Sequence, residues 1–208
     1  MLTFAAVTCV RGGRMLFADL SFALAPGDAL LVTGANGVGK SSLIRLAAGL
    51  LTPAAGRVEA ATDRALLTEQ AALDDDLPLG RTLGFWAELD GRRDAIADAL
   101  TSLALTDLAA IPVRLLSTGQ RRRAAIARVV ASGAPLWLLD EPANGLDAAA
   151  LALLENAIAR HRSTGGAVLV ASHTPLALPS AHSIALADPT LPVRPSNISP
   201  GSAEGAHL

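Results

Sequence analysis

Between a short apolar run, Ala29 to Thr33, and a stretch of helical periodicity from Ser41 to Leu50 lies Gly34-Ala35-Asn36-Gly37-Val38-Gly39-Lys40-Ser41-Ser42. It is a strand–loop–helix setting for the pattern G-x-x-x-x-G-K-[ST], and it constrains the chain more than any other feature. Its three glycines let the backbone curl until successive N–H groups point inward. The helix that follows adds partial positive charge at its N-terminus. Such a cradle suits the phosphates of a nucleotide, with Lys40 reaching the β- and γ-phosphates and Ser41 ligating Mg²⁺. Composition sharpens the point, because among 17 Lys and Arg residues Lys40 is the only lysine. A slim ammonium and a planar guanidinium are not interchangeable at a tight phosphate site. The lone lysine marks chemistry.

The rest of the chain reads as α/β. Residues 2–10 and 16–24 form two strands around a Gly12-Gly13 turn, and 56–60 and 64–68 are further strands. From Thr82 to Arg128 the period is helical, with breaks at Asp90-Gly91, Pro112 and Ser117–Gly119. Leu136–Leu139 and Ala167–Ala171 are buried strands flanking a helix over Ala148–Arg162, and Ile184–Ala187 is a last strand. No internal repeat occurs in the 208 residues, so one unit is expected over 1–187, followed by a flexible tail over 188–208 with four prolines. Mean hydropathy is +0.41, yet the most apolar run, Ala124 to Leu139, is interrupted by Arg128, Gly133 and Pro135. It falls short of the roughly 18 apolar residues that a spanning helix needs. The apolar N-terminus lacks a basic leader and reads as a strand. One cysteine, Cys9, fits a reducing compartment.

Two more segments carry chemistry. Leu136-Trp137-Leu138-Leu139-Asp140-Glu141 is an apolar strand ending in paired acids. There Asp140 can hold Mg²⁺ through water and Glu141 can polarise an attacking water as general base. Leu116-Ser117-Thr118-Gly119-Gln120 opens a helix just upstream. In isolation it is an ordinary N-cap, but with the glycine loop in the same chain it is a second anion site.

This combination resembles the ATP-binding-cassette (ABC) family, whose signature is L-S-x-G-Q. The resemblance implies a P-loop NTPase cassette: a RecA-like core, an N-terminal antiparallel β subdomain and a helical signature subdomain over about 74–128. It implies ATP and Mg²⁺ as ligands. Gly34 through Ser42 would bind the nucleotide, Ser41, Asp140 and Gln70 the metal, and Glu141, Gln70 and His173 would act in hydrolysis. Gly145-Leu146-Asp147 stands at the spacing of the family's D-loop, and Asp147 joins Ser117 and Gly119 as nucleotide contacts. In this family the site is shared between protomers, which implies a homodimer of cassettes. Adenine usually stacks on an aromatic near the end of the first strand. This chain has no tyrosine, and Arg11 or a neighbour would take that place.

In finer detail the chain resembles the ATPase subunits of the haem exporter in cytochrome c maturation. The likeness rests on Cys9-x-Arg11, on Arg14-x-Leu16-Phe17-x-x-Leu20-Ser21-Phe22, on Arg45-Leu46 with Gly49-Leu50, and on Phe85-Trp86. Glu69 and Arg81-Thr82 depart from that pattern. The resemblance implies integral membrane permease subunits as partners and peripheral attachment at the cytoplasmic face of a bacterial inner membrane. A net charge of −2 gives no reason to expect nucleic acid. The run Arg121-Arg122-Arg123 reads instead as a solvated, helix-stabilising or nucleotide-facing set, and Asp74-Asp75-Asp76 as an exposed loop. An exporter ATPase for another substrate and a soluble non-transport cassette are the rival readings.

Overall fold

The computed structural model describes residues 1–69 and 72–187. Strands β1 (Leu2–Arg11) and β2 (Arg14–Leu24) form an antiparallel hairpin. β3 (Ala29–Thr33) runs into the glycine loop and helix α1 (Lys40–Ala47), and β4 (Ala55–Ala60) returns to pair with β1. This gives a three-stranded sheet in the order β2-β1-β4. β5 (Arg64–Leu67), β6 (Leu136–Asp140), β7 (Ala167–Ala171) and β8 (His182–Ala185) join β3 in a second sheet, all parallel, in the order β5-β6-β7-β3-β8. Helices α2 (Leu79–Leu89), α3 (Ile96–Ser102) and α4 (Thr118–Ser132) lie between β5 and β6, and α5 (Ala148–Ser163) connects β6 to β7.

Up to Thr33 at the end of β3 and Asp140 at the end of β6, the central strands are apolar because both of their faces are covered, as a parallel sheet requires. Alternate side chains serve different cores. Trp137 and Leu139 of β6, with Val168 and Val170 of β7, pack against α2–α5. Leu136 and Leu138, with Leu169 and Ala171, pack with α1 and the antiparallel sheet. The sheet therefore grips α1 from one side and α4 from the other, and that grip fixes the loops at the strands' carboxyl ends.

Several boundaries differ from the sequence reading for local reasons. The first helix begins at Lys40 and ends at Ala47, because Gly49 takes a left-handed φ of 73° where continued helix is impossible. Leu79 starts α2 directly after Pro78, three residues earlier than the periodicity suggested. The last strand is His182–Ala185, aligned on Leu30–Thr33 of β3. The triplet Asp74-Asp75-Asp76 lies in an exposed turn as expected, where Arg121 pairs with Asp75, and Arg114 with Asp76 at 2.9 Å. The tail over 188–208 lies outside the described residues. Among those described, no helix is long and apolar enough to cross a membrane.

Leu138 is fully buried directly before Leu139 and Asp140. Leu138→Ala should lower unfolding free energy by about 2–5 kcal/mol, since the sheet cannot collapse onto the void. A urea titration followed by circular dichroism checks this.

Candidate active site

The glycine loop has the backbone that its composition demands. Gly34 has φ 140°, and a Cβ there would stand 2.5 Å from the Leu186 carbonyl oxygen of the neighbouring strand's exit. Gly39 caps α1 with φ 118°, and a Cβ would press within 3.1 Å of Leu16 Cβ. No other residue fits either place. Lys40, only 6% exposed, donates to Gly34 O at 2.9 Å and Ala35 O at 3.3 Å. The same ammonium lies 3.4 Å from Glu141 Oε1. Ser41 Oγ donates to Asp140 Oδ1 at 3.1 Å. Ala35, Asn36, Gly37 and Val38 complete the loop, and Ser42 continues the first turn of α1.

The two acids at the end of β6 divide in character. Asp140 is buried, and loss of solvent raises its carboxyl above the ordinary 3.8. The Ser41 hydrogen bond opposes that rise, the charge of Glu141 adds to it, and Arg45 and Arg122 counter it. Glu141 takes a left-handed φ of 48°, a conformation that costs a side-chain-bearing residue about 1–2 kcal/mol. Its Oε2 accepts from the His173 backbone N–H at 3.1 Å and lies 2.7 Å from His173 Nδ1. The expected group of Lys40, Ser41, Asp140, Glu141 and His173 is thus one connected cluster.

Other expected residues stand elsewhere. Ser117 caps α4 in a reciprocal box, its Oγ accepting from Gln120 N at 3.2 Å while Gln120 Oε1 accepts from Ser117 N at 2.8 Å. Asp147 caps α5 by accepting from Ala150 N at 2.8 Å. A Cβ at Gly119 would stand 3.1 Å from Gly145 O, so the helix opening and the loop before α5 touch. Among the described residues, the hydrogen bonds of Ser117 and Asp147 are local and do not reach the lysine cluster. Gln70 lies outside the described residues. Arg11 is exposed at the hairpin end, paired in register with Arg14.

The arginine triplet divides between the expected roles, with Arg122 facing the candidate site and Arg121 at the surface. Arg122 is buried, and its guanidinium faces Thr68 and the turn after β6. Arg123 donates to Leu103 O and Ala104 O, tying down the end of α3. Arg122 is the buried member of the three, while Arg121 and Arg123 are half-buried. The signal was present, since Arg122, Ala125 and Val129 share one helical face and that face is the apolar one. A cavity of about 670 Å³ adjoins this region, lined by Ser41, Asp140 and Glu141 on one side and Thr118 and Arg122 on the other.

With that geometry in place, comparison with known proteins decides the family. A family model described as ABC transporter matches residues 17–144. This chain belongs to the ABC transporter family. It is 61% identical over 180 residues to the cytochrome c biogenesis ATP-binding export protein CcmA of Sphingopyxis alaskensis, covering 86% of this chain and 93% of that one. The protein of that name from Zymomonas mobilis is 53% identical, with 80% and 76% covered. The cassette therefore falls in the CcmA group of the family. A solved ATP-binding subunit of an ABC transporter shares its fold, with TM-score 0.74 at 21% identity over 83% of this chain and 79% of that one.

The residues fit the ligands of an ABC ATPase. A buried ammonium surrounded by oxygen acceptors at a glycine loop suits a polyphosphate. A hydroxyl and a carboxylate 3.1 Å apart supply the hard oxygen donors that Mg²⁺ takes.

The raised Asp140 has a consequence for stability. The folded chain holds this proton more tightly than the unfolded chain, so ionisation removes stability as pH rises from 3.8 through the raised value. In chelator and without nucleotide, Asp140→Asn should melt above wild type at neutral pH. The gap should shrink as pH falls below 3.8. Thermal melts across that range are the check.

Proposed function

We propose that this chain is the ATP-hydrolysing subunit of an ABC transporter complex in c-type cytochrome biogenesis, serving haem export or release of a haem-loaded chaperone. The observation that carries it is the Lys40–Glu141–His173 cluster on a chain 61% identical to a CcmA protein.

Hydrolysis follows from the cluster. Lys40 exchanges its contacts with Gly34 O, Ala35 O and Glu141 for the β- and γ-phosphate oxygens of ATP, while the N–H groups of the Gly34–Ser42 loop wrap the phosphates. Ser41 and Asp140, with Gln70, would hold Mg²⁺. When bound, the metal would supply positive charge to the phosphate oxygens. Glu141 takes the proton of the attacking water, and His173 holds the Glu141 carboxylate while facing the γ-phosphate. A positioned general base contributes about 10²–10⁴ in rate. Arg11, at the hairpin end, is our candidate for stacking the base through its guanidinium plane.

Ser117, Gly119 and Asp147 act across a homodimer, on the ATP held by the other copy, so ATP closes the pair and hydrolysis opens it. Force then passes to separate integral permease subunits at the cytoplasmic face of the inner membrane. Phe85 and Leu89 support a docking strip on α2, at 56% and 65% exposed. Trp86 does not share that role, because its ring covers the Arg128 guanidinium at 4.0 Å.

Two experiments test the reading. Glu141→Gln should lose at least about a hundredfold in turnover and accumulate as an ATP-bound dimer on gel filtration; a monomer in excess Mg·ATP would sink the dimer assignment. In cells, deletion of the gene should abolish covalently bound haem in membranes, with rescue by wild type and none by Glu141→Gln. Normal c-type cytochromes after deletion would leave an ATPase that serves another substrate.

A further inference from the structure

Arg122 makes an unusual set of bonds for a buried cation. Its Nη1 donates to Thr68 O at 2.6 Å, Nε to Pro142 O at 3.2 Å, and Nη2 to both Asp140 O at 2.9 Å and Glu141 O at 2.6 Å. All four acceptors are backbone carbonyls, and three belong to consecutive residues. Glu141 O also accepts from Asn144 N at 3.2 Å, and the guanidinium adds a donor to each carbonyl of the turn, where a buried carbonyl without a partner is unfavourable. A guanidinium has five N–H donors in a rigid fork, so one side chain reaches all three carbonyls of the turn at once. An ammonium has three donors on a flexible stem and cannot match that plane. Burial pushes the Arg122 guanidinium down, and the negative charges of Asp140, Glu69 and Glu141 offset part of that.

The turn held in this way contains Glu141. That residue keeps a left-handed backbone, and such strain persists only where the surroundings over-determine it. Here its N–H donates to Ala171 O at 2.8 Å and its carbonyl is held by Arg122. The other end of Arg122 is rooted in α4, the helix that Ser117 caps and Gly119 opens. Thr68 lies at the stem that leads toward Gln70. One side chain thus joins the helix of the signature, the turn of the general base and the stem of the glutamine loop.

We propose that Arg122 is a positioning residue for hydrolysis, fixing the Asp140–Pro142 turn to helix α4 so that the Glu141 carboxylate stands where the attacking water must lose its proton. The proposal rests on the ATPase reading above. A displacement on the order of 1 Å at a catalytic group can cost about a hundredfold in rate while leaving ground-state binding intact.

The test uses the full-length chain with Mg²⁺, measuring AMP-PNP affinity and stoichiometry by calorimetry and phosphate release per AMP-PNP-binding site, at a temperature well below each variant's Tm. Arg122→Gln should lower kcat per site at least tenfold with AMP-PNP Kd within threefold of wild type, and Arg122→Lys should fall between. If Arg122→Gln does not fold, the comparison moves to Arg122→Lys, where at least a threefold fall per site is expected. Turnover per site within twofold of wild type in the folded Gln variant, or unchanged in the Lys variant, overturns the proposal. A loss of turnover that merely tracks lost binding sites makes Arg122 scaffold alone and overturns it too. A wild type that binds AMP-PNP but never releases phosphate from ATP sinks the ATPase reading as well, which separates the two failures.

Discussion

Ser41 and Asp140 are 99 positions apart in sequence, and their side chains meet at 3.1 Å. Ser41 opens α1 after the loop that follows β3, Asp140 ends β6, and those two strands are not neighbours, since β7 lies between them. What brings them together is the parallel sense of the whole sheet. When strands run parallel with both faces covered, every strand exit opens at the same edge, and ligands bind in the crevice beyond it. The glycine loop after β3, the acids closing β6 and His173 after β7 all arrive there for that reason. The two hydrophobic cores act on the chemistry through this constraint, by holding the strands level in register.

At that edge the fold accepts two unfavourable local states. Asp140 is ionisable and buried, and Glu141 is side-chain-bearing with a positive φ. Each is stabilised from outside its own segment. Asp140 accepts from Ser41 and feels Arg45 and Arg122, while Glu141 is pinned through its carboxylate by Lys40 and His173 and through its backbone by Arg122 and Ala171. Strain and desolvation gathered at one strand end, and relieved by partners from three other elements, are what a reactive site needs in order to be rigid without being inert.

How much of this was legible in the sequence depends on how far each interaction reaches along the chain. The loop from Gly34 to Ser42 encodes its conformation in its own glycines, and Ser117 and Gln120 encode their cap within four residues; both were readable. The apolar run ending in Asp140-Glu141 also declares itself, because a doubly covered strand must be apolar throughout. Arg122 did not, nor did the pairing of Asp75 with Arg121 and of Asp76 with Arg114. Charge runs usually mark solvated surface, and composition alone cannot tell which of three arginines turns inward. The helical face shared with Ala125 and Val129 carried that information. The acceptors Thr68, Asp140, Glu141 and Pro142 come from two other segments, and no local pattern names them.

Helix α4 shows why the division of labour in the proposed dimer is physically reasonable. A helix N-terminus has four N–H groups without internal partners. The capping box uses the N–H of Gln120 and supplies an acceptor for that of Ser117, so the first turn is fixed without help from its own phosphate loop. The remaining N–H groups and the partial positive charge of the helix start are then free for an anion presented from outside. In the proposed dimer a site so ordered in advance would lose little entropy on engaging the other copy's nucleotide. Because Arg122 is rooted two residues beyond Gln120 in the same helix, any shift of α4 on engagement would reach the Glu141 turn directly. In the proposed dimer, closure around one nucleotide would then register at Glu141, the proposed general base of the other site.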